Sequence, residues 1–281
     1  MLAVVLSLSS SLCWGLADFL GGLQSRRVPV LAVLLVSQLA GLIAIAIGVA
    51  IARPHMPDLL DLWPAAAGGL AGAVALGAFY RALAIGTMSI VAPISATSAA
   101  LPVIVGVATG DRPTAVQLVG IAAAVIGVVL ASRELDQDVP EKAVSGRASI
   151  GLALVAALGF GVFFIGIKGG ADISVPWSLL VARATSVTAI LIVVLAARIP
   201  VPTAPRQLGK LAIVGVLDAG ANGLYAAAAT EGLLSVVAVL GALYPVVTVV
   251  LARVVLGERV RRIQEVGMVA ALAGVALIAT G

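Results

Sequence analysis

Charge is what this sequence has least of. Only 11% of its residues are charged, while 62% are hydrophobic; a soluble domain has about 25% and 45–50%. A water-soluble body of 281 residues cannot hide so much apolar surface, and no stretch is polar enough for a separate soluble domain. Histidine occurs once, as His55 in a loop, and cysteine once, as Cys13 within an apolar run. The first excludes histidine-based catalysis or a histidine metal site in the apolar segments. The second excludes a disulfide framework and leaves Cys13 as a packed small residue. No glycine-rich phosphate loop of the P-loop type is present, so ATP is excluded as a direct drive. The formal charge of +4 comes from basic residues standing singly or in pairs between apolar runs. With no basic face, nucleic acid is not expected as a partner. Neither a metal nor any other cofactor is expected.

What remains is long apolar runs. Ten of them, at 2–22, 30–52, 63–85, 90–109, 114–132, 149–168, 177–197, 208–230, 234–256 and 263–280, approach or exceed the roughly 20 residues that span a bilayer. No basic region precedes the first, which therefore reads as a membrane helix rather than a signal peptide. The runs are continuous rather than alternating, so they predict helices and not barrel strands. The 31 glycines favour close helix crossings, since small residues let backbones approach where no water drives association.

The chain also repeats itself. Gly110-Asp111-Arg112, Gln117, Gly120 and Gly127 recur as Gly257-Glu258-Arg259, Gln264, Gly267 and Gly274; Gly86, Ser89, Val91, Ala92 and Ala96 recur as Gly232, Ser235, Val237, Ala238 and Ala242. Internal duplication in a long apolar chain is a signature of secondary transporters. The expected organisation is a first five-helix repeat at 1–132, a polar linker at 133–147 and a second repeat at 148–281. Five is odd, so the second copy enters the membrane from the opposite side. The fold expected is an all-α integral membrane protein, ten transmembrane helices as two inverted five-helix repeats, with a site near the midplane between them. Arg26, Arg27, Arg133, Lys142, Arg147, Arg198, Arg206, Lys210, Arg253, Arg259, Arg261 and Arg262 crowd the odd-numbered loops, against Arg53, Arg112 and Lys168 in the even ones. The positive-inside rule then turns the odd loops to the cytoplasm and both termini outside.

Trp14-Gly15, echoed as Phe160-Gly161, together with Tyr80, Ala82-Leu83, Gly86, Pro102 and Leu256-Gly257-Glu258-Arg259, resembles the EamA-type, ten-helix class of the drug/metabolite transporter superfamily. The resemblance spans the chain. It implies movement of small metabolites, often outward, through a cavity lined by helices one, three, four, six, eight and nine, with the fifth and tenth peripheral. The first copy carries Asp111 where that family usually has Glu. The family habit is cytoplasmic termini, opposite to the charge bias.

Features present twice read as scaffold; polar groups present once need another reason. Asp218 corresponds to Gly72, Asp18 to Phe164, and Arg183 to Val36 or a neighbour. Asp218 falls roughly 15 Å into its helix, where a charge costs about 2.5–3.5 kcal/mol on insertion scales. Asn222 and Tyr225 continue its face. They read as substrate or proton chemistry, or as a structural hydrogen-bond network. Asp18, one turn from its helix end on a stripe with Ser7, Ser11 and Trp14, reads either as a cavity carboxylate or as a partner of Arg26 or Arg27. Trp14 suits a cavity wall. Arg183 and Arg81 either snorkel to the interface or bind an anionic group. Tyr80 and Tyr225 read as paired cavity rings, one per half. Lys168 and Glu231 read as boundary charges. Tyr244 shares a face with Gly241 and Thr248, beside Pro245, which should loosen the ninth helix; Pro93 and Pro102 offer the same in the fourth. The substrate-binding set is thus Trp14, Asp18, Tyr80, Arg81, Arg183, Asp218, Asn222, Tyr225 and Tyr244.

Together these residues predict a secondary carrier of a polar or zwitterionic metabolite such as an amino acid, exporting it across the cell membrane by alternating access. The partners expected are the small-molecule substrate and the lipid bilayer, with a homodimer left open. A flippase for a lipid-linked intermediate is the alternative reading, and a carboxylate-based intramembrane enzyme a weaker one.

Overall fold

The computed structural model describes residues 1–86, 88–131, 143–202, 204–256 and 262–280, and these form helices with no strand among them. In order they are α1 (Leu2–Ser25), α2 (Val30–Ala52), α3 (Trp63–Ile85), α4 (Met88–Ala96), α5 (Ala100–Thr109), α6 (Ala115–Ala131), α7 (Ala143–Ala196), α8 (Pro205–Glu231), α9 (Leu234–Gly241), α10 (Tyr244–Leu256) and α11 (Arg262–Thr280). Among the described residues, five helical stretches are long and apolar enough to cross a membrane: Leu2–Ser25, Val30–Ala52, Leu59–Ile85, Ala148–Ala196 and Pro205–Glu231. The remaining apolar helices are shorter.

Two departures from the expected segments have physical causes. The fourth run is broken by a 3-10 turn at Thr97–Ala99. Pro102 lies in the first turn of α5 and has no N–H for the Ser98 carbonyl. The ninth is broken between Gly241 and Tyr244, where Pro245 likewise denies a donor to Gly241. The sixth and seventh runs are, as expected, two helices, the two arms of α7, which meet at the non-helical Ser174 (φ −163°, ψ 113°). Its second arm has Pro176 in its first turn, where the missing N–H costs nothing. Residues 143–147, expected in the linker, belong to α7. The rest of that linker, and Gly257-Glu258-Arg259, lie outside the described residues.

The helices are inside-out relative to those of a soluble protein. The inner face of α1 carries Ser7, Ser10, Ser11, Trp14, Gly15, Asp18, Gly21 and Gly22. The outer face of α2 shows Ile43, Ile47 and Ile51, which are 53%, 55% and 77% exposed. Small and polar residues pack inward and aliphatic ones face out, as lipid requires.

The duplicated glycines explain how the halves meet. A Cβ added to Gly15 would lie 2.9 Å from the Tyr244 carbonyl oxygen and 2.7 Å from Val247 Cγ1. One added to Gly161 would lie 3.0 Å from the Ser98 carbonyl oxygen and 2.9 Å from Leu101 Cβ. Each glycine lets its helix settle on the break in the opposite half's broken helix. Gly69 presses on the backbone of Ala182, and its equivalent Gly215 on that of Ser37. In α6 and α11, Gly120 faces Gly274 and Gly127 faces Gly267, so these two equivalent helices run antiparallel. Other copied residues build helix ends. Thr114 and Gln117 exchange backbone-to-side-chain hydrogen bonds of 3.0 and 3.1 Å at the start of α6, a capping box. Gly110, at φ +121°, closes α5. The adjacent Asp111 carboxylate accepts from the Ser235 N–H at the start of α9, 2.9 Å away.

Candidate functional site

A cavity of about 690 Å³, counted out to its mouth, lies between α1, α2, α3, α7, α8 and α10. Water-sized molecules can be centred in about 60 Å³ of it, several times the roughly 10–15 Å³ that one water requires. Its walls are largely apolar and aromatic, with Trp14, Phe160, Phe163, Phe164 and Tyr244 among them.

The polar groups concentrate on one side. Arg183 Nη1 and Asp218 Oδ2 form an ion pair at 2.7 Å. The residues are 5% and 15% exposed by side chain, so the charges are held by each other rather than by water. Gln38 from α2 ties the pair to the first half. Its Nε2 donates to Asp218 Oδ2 at 3.2 Å, and its Oε1 accepts from Arg183 Nη1 and, at 3.3 Å, from the Ser186 hydroxyl. Asn222 Nδ2 reaches Asp218 Oδ2 at 3.5 Å, and Asn222 Oδ1 accepts from Trp14 Nε1 at 3.2 Å. The chain of contacts thus runs α7–α2–α8–α1. Arg183 Nη2 is buried without a hydrogen-bond partner in the protein.

Asp18 sits apart, 8% exposed, with the Tyr80 hydroxyl 3.5 Å from its Oδ1. Neither Arg26 nor Arg27 pairs with it; both are exposed. A Cβ at Gly21 would collide with the Tyr80 ring, 2.6 Å from Cζ, so this glycine makes room for the tyrosine that reaches Asp18.

Of the residues expected at the site, Trp14, Asp18, Arg183, Asp218, Asn222 and Tyr244 line the cavity. Tyr80 and Tyr225 stand behind its wall, 2% and 0% exposed. Tyr225 stacks on Phe164 with ring centroids 4.7 Å apart, so it stiffens the lining ring rather than facing a solute. Arg81 is exposed on the outside of α3, away from the cavity. Arg183 does not snorkel, because its partner lies inward. Lys168 pairs with Asp172 one turn on. Sequence reasoning missed Gln38 and Ser186. Ser37-Gln38 is the only polar pair within the run Val30–Ala52, and that isolation was the available signal.

A family model for EamA-like transporters matches residues 1–133 and 147–280. The chain belongs to the EamA-like transporter family. It is therefore a multi-pass membrane protein and a membrane transporter of the drug/metabolite type, a family of transporters and not of enzymes. No curated protein matches it. A solved structure titled only as the crystal structure of a protein, 16% identical, superimposes with a TM-score of 0.74 over 98% of this chain and 95% of that one; it supports the fold alone. In this EamA-like transporter the cavity differs from the expected lining. The second and seventh apolar runs supply Gln38 and Arg183, while among the described residues the fourth run supplies none of the lining. Among the described residues α6 and α11 also supply none of the lining, and they pack on each other.

Proposed function

We propose that this transporter is a secondary carrier of small polar or zwitterionic metabolites, exporting them across the cell membrane by alternating access. The observation that carries the reading is the cavity itself. It lies between two halves, is walled by aromatic rings, and is lined by the guanidinium-bearing Arg183 and the carboxylate-bearing Asp18. The guanidinium takes the anionic end of a zwitterion, the carboxylate its ammonium, and the rings its apolar body. Its size suits a compound of amino-acid dimensions.

Ten spans in two inverted repeats are part of the same reading. The antiparallel course of α6 and α11, and the exchange of glycine contacts between halves, support it. So does the rule that transporter sites form at the repeat interface beside discontinuous helices. Ile45, Gly69, Ile167 and Leu179 line the cavity from the helix portions that end at 52, 63, 173 and 175. The cavity thus reaches toward the face that bears both chain ends. By the Lys and Arg bias that face is outside, so the structure is read as an outward-facing state. A reporter active on one side of the membrane, fused to each terminus, checks this; cytoplasmic activity at both ends refutes it.

The test of function is counterflow in proteoliposomes loaded with a pool of amino acids and small metabolites. Exchange of a defined labelled compound, lost in Arg183→Ala, supports a carrier with this site. Folded protein with no exchange across the pool refutes the metabolite reading and turns attention to lipid substrates.

A further inference from the structure

Equivalent places beside the cavity are filled in opposite ways by the two halves. In the second half α8 carries the side chain, Asp218, and the matching place on α1 is the small Ala17. In the first half α3 carries none, at Gly72, and the matching place on α7 is the large Phe163. The register is the one that pairs Trp14 with Phe160 and Asp18 with Phe164. Gly72 and Phe163 both line the cavity. A Cβ at Gly72 would lie 2.9 Å from Phe163 Cδ2 and 3.4 Å from its Cγ. The ring occupies the space that any other residue at position 72 would claim.

The helices α3 and α7 cannot part to make room. One turn before Phe163, a Cβ at Gly159 would lie 2.9 Å from the Ala71 carbonyl oxygen. Three residues after it, a Cβ at Gly166 would run into the Pro64 carbonyl oxygen and lie 2.7 Å from Gly68 Cα. Both glycines bring the α7 backbone hard against α3, so what can move is the Phe163 side chain. The order of residues around the helix, about 100° apiece, sets the direction. Leu158 and Val162, 67% and 42% exposed, mark the side turned to lipid. The glycines that touch α3 come next, then Phe163, then the cavity-lining Ile167, Phe160 and Phe164. Helix α3 therefore stands between the Phe163 ring and lipid, and the free space beside the ring is the cavity.

We propose, resting on the carrier reading, that Gly72 and Phe163 set the width of the cavity and with it the bulk of solute that the transporter accepts. The missing Cβ at Gly72 lets the ring draw back onto α3. A side chain at position 72 turns the ring into the cavity and narrows it; a shorter side chain at position 163 widens it. The two residues are specificity-determining for transport, through the apolar body of the solute rather than its charges.

Thiol labelling reads the width without any solute. Leu76 lines the cavity one turn beyond Gly72 along α3. Leu76→Cys in a Cys13→Ala background is the reporter, with methyl and benzyl methanethiosulfonate as the small and large probes. Adding Gly72→Ala should slow the benzyl reagent about tenfold and leave the methyl reagent within about twofold, the discrimination that small changes of volume give in an apolar pocket. Phe163→Leu in the same chain should restore the benzyl rate. Phe163→Ala with Gly72 intact should raise it, which keeps the test decisive where Gly72→Ala does not fold. Equal slowing of both reagents, an unchanged benzyl rate in both single variants, or no recovery with Phe163→Leu would each overturn the proposal. In proteoliposomes, Gly72→Ala should lower counterflow of leucine more than that of alanine; equal loss would overturn the selection by bulk. No counterflow of any compound by the wild type would sink the carrier reading, and the labelling rates would still decide the width.

Discussion

Gly15 and Gly161 do the same thing in opposite halves, whereas Gly72 and Asp218, which also stand at equivalent positions, do different things. The first pair touches the carbonyls of Tyr244 and Ser98, themselves equivalent residues. Of the second pair, one packs on the Phe163 ring, a Cβ there lying 2.9 Å from Cδ2, and the other binds Arg183. The helix-to-helix contacts are common to both halves, while the ionic chemistry of the cavity is divided between them. In the proposed alternating-access cycle, a contact set that both halves share is exchanged as they rock. A charge set they do not share would give that cycle a fixed polarity.

The strongest way to break this contrast is to remove the cation. Arg183→Gln leaves Asp218 buried and unpaired, at a cost of about 3–5 kcal/mol. It should abolish counterflow and lower the unfolding temperature in detergent. Arg183→Lys should restore little of the flux, because a point charge cannot reach both Asp218 and Gln38. Next come the paired glycines. Gly15→Val and Gly161→Val each force side-chain atoms into the opposite half, at roughly 1–3 kcal/mol. Thermal unfolding should show equal losses at the two sites; tolerance at one site alone would break the equivalence. Gln38→Ala should have a smaller effect, about 1–3 kcal/mol for the bonds left unmade on Asp218 and Ser186. It should raise the half-saturation concentration for exchange more than it lowers the maximal rate, since Gln38 positions the guanidinium. Arg81→Ala should be the mildest, within about 0.5 kcal/mol and with counterflow preserved, because the residue points away from the cavity.

Much of the scaffold was legible because lipid simplifies the reading. Apolar runs had to be helices, and the run at 30–52 matches α2 without adjustment. The duplicated glycines announced close contacts, though not which helix each would meet; that depends on the crossing of distant segments. The first arm of α7 runs past the expected end at 168 because Lys168 and Asp172 pair one turn apart, and the second arm opens at Pro176 after the non-helical Ser174. At the cavity, charge in an apolar run singled out Asp18, Arg183 and Asp218. Charge alone did not identify partners. Nearness in sequence offered Arg26 or Arg27 as one of two readings for Asp18, yet its neighbour is Tyr80 on α3. Gln38 went unnoticed because an uncharged amide raises little alarm in a hydropathy reading, although it is the residue by which the first half grips the ion pair.

The odd number of charges in the cavity also says something about how such a molecule can be built. Two identical five-helix chains meeting about a twofold axis could make the contacts of Gly15 and Gly161, of Gly69 and Gly215, and of the α6 and α11 glycines, since each of these occurs twice. They could not make this cavity. A site on the axis of a homodimer receives each of its side chains in duplicate, so its charges come only in even numbers and every acid has a twin. One arginine serving one of two unlike acids requires the two halves to differ, and covalent joining of the copies in one chain is what allows the difference to be inherited in one polypeptide.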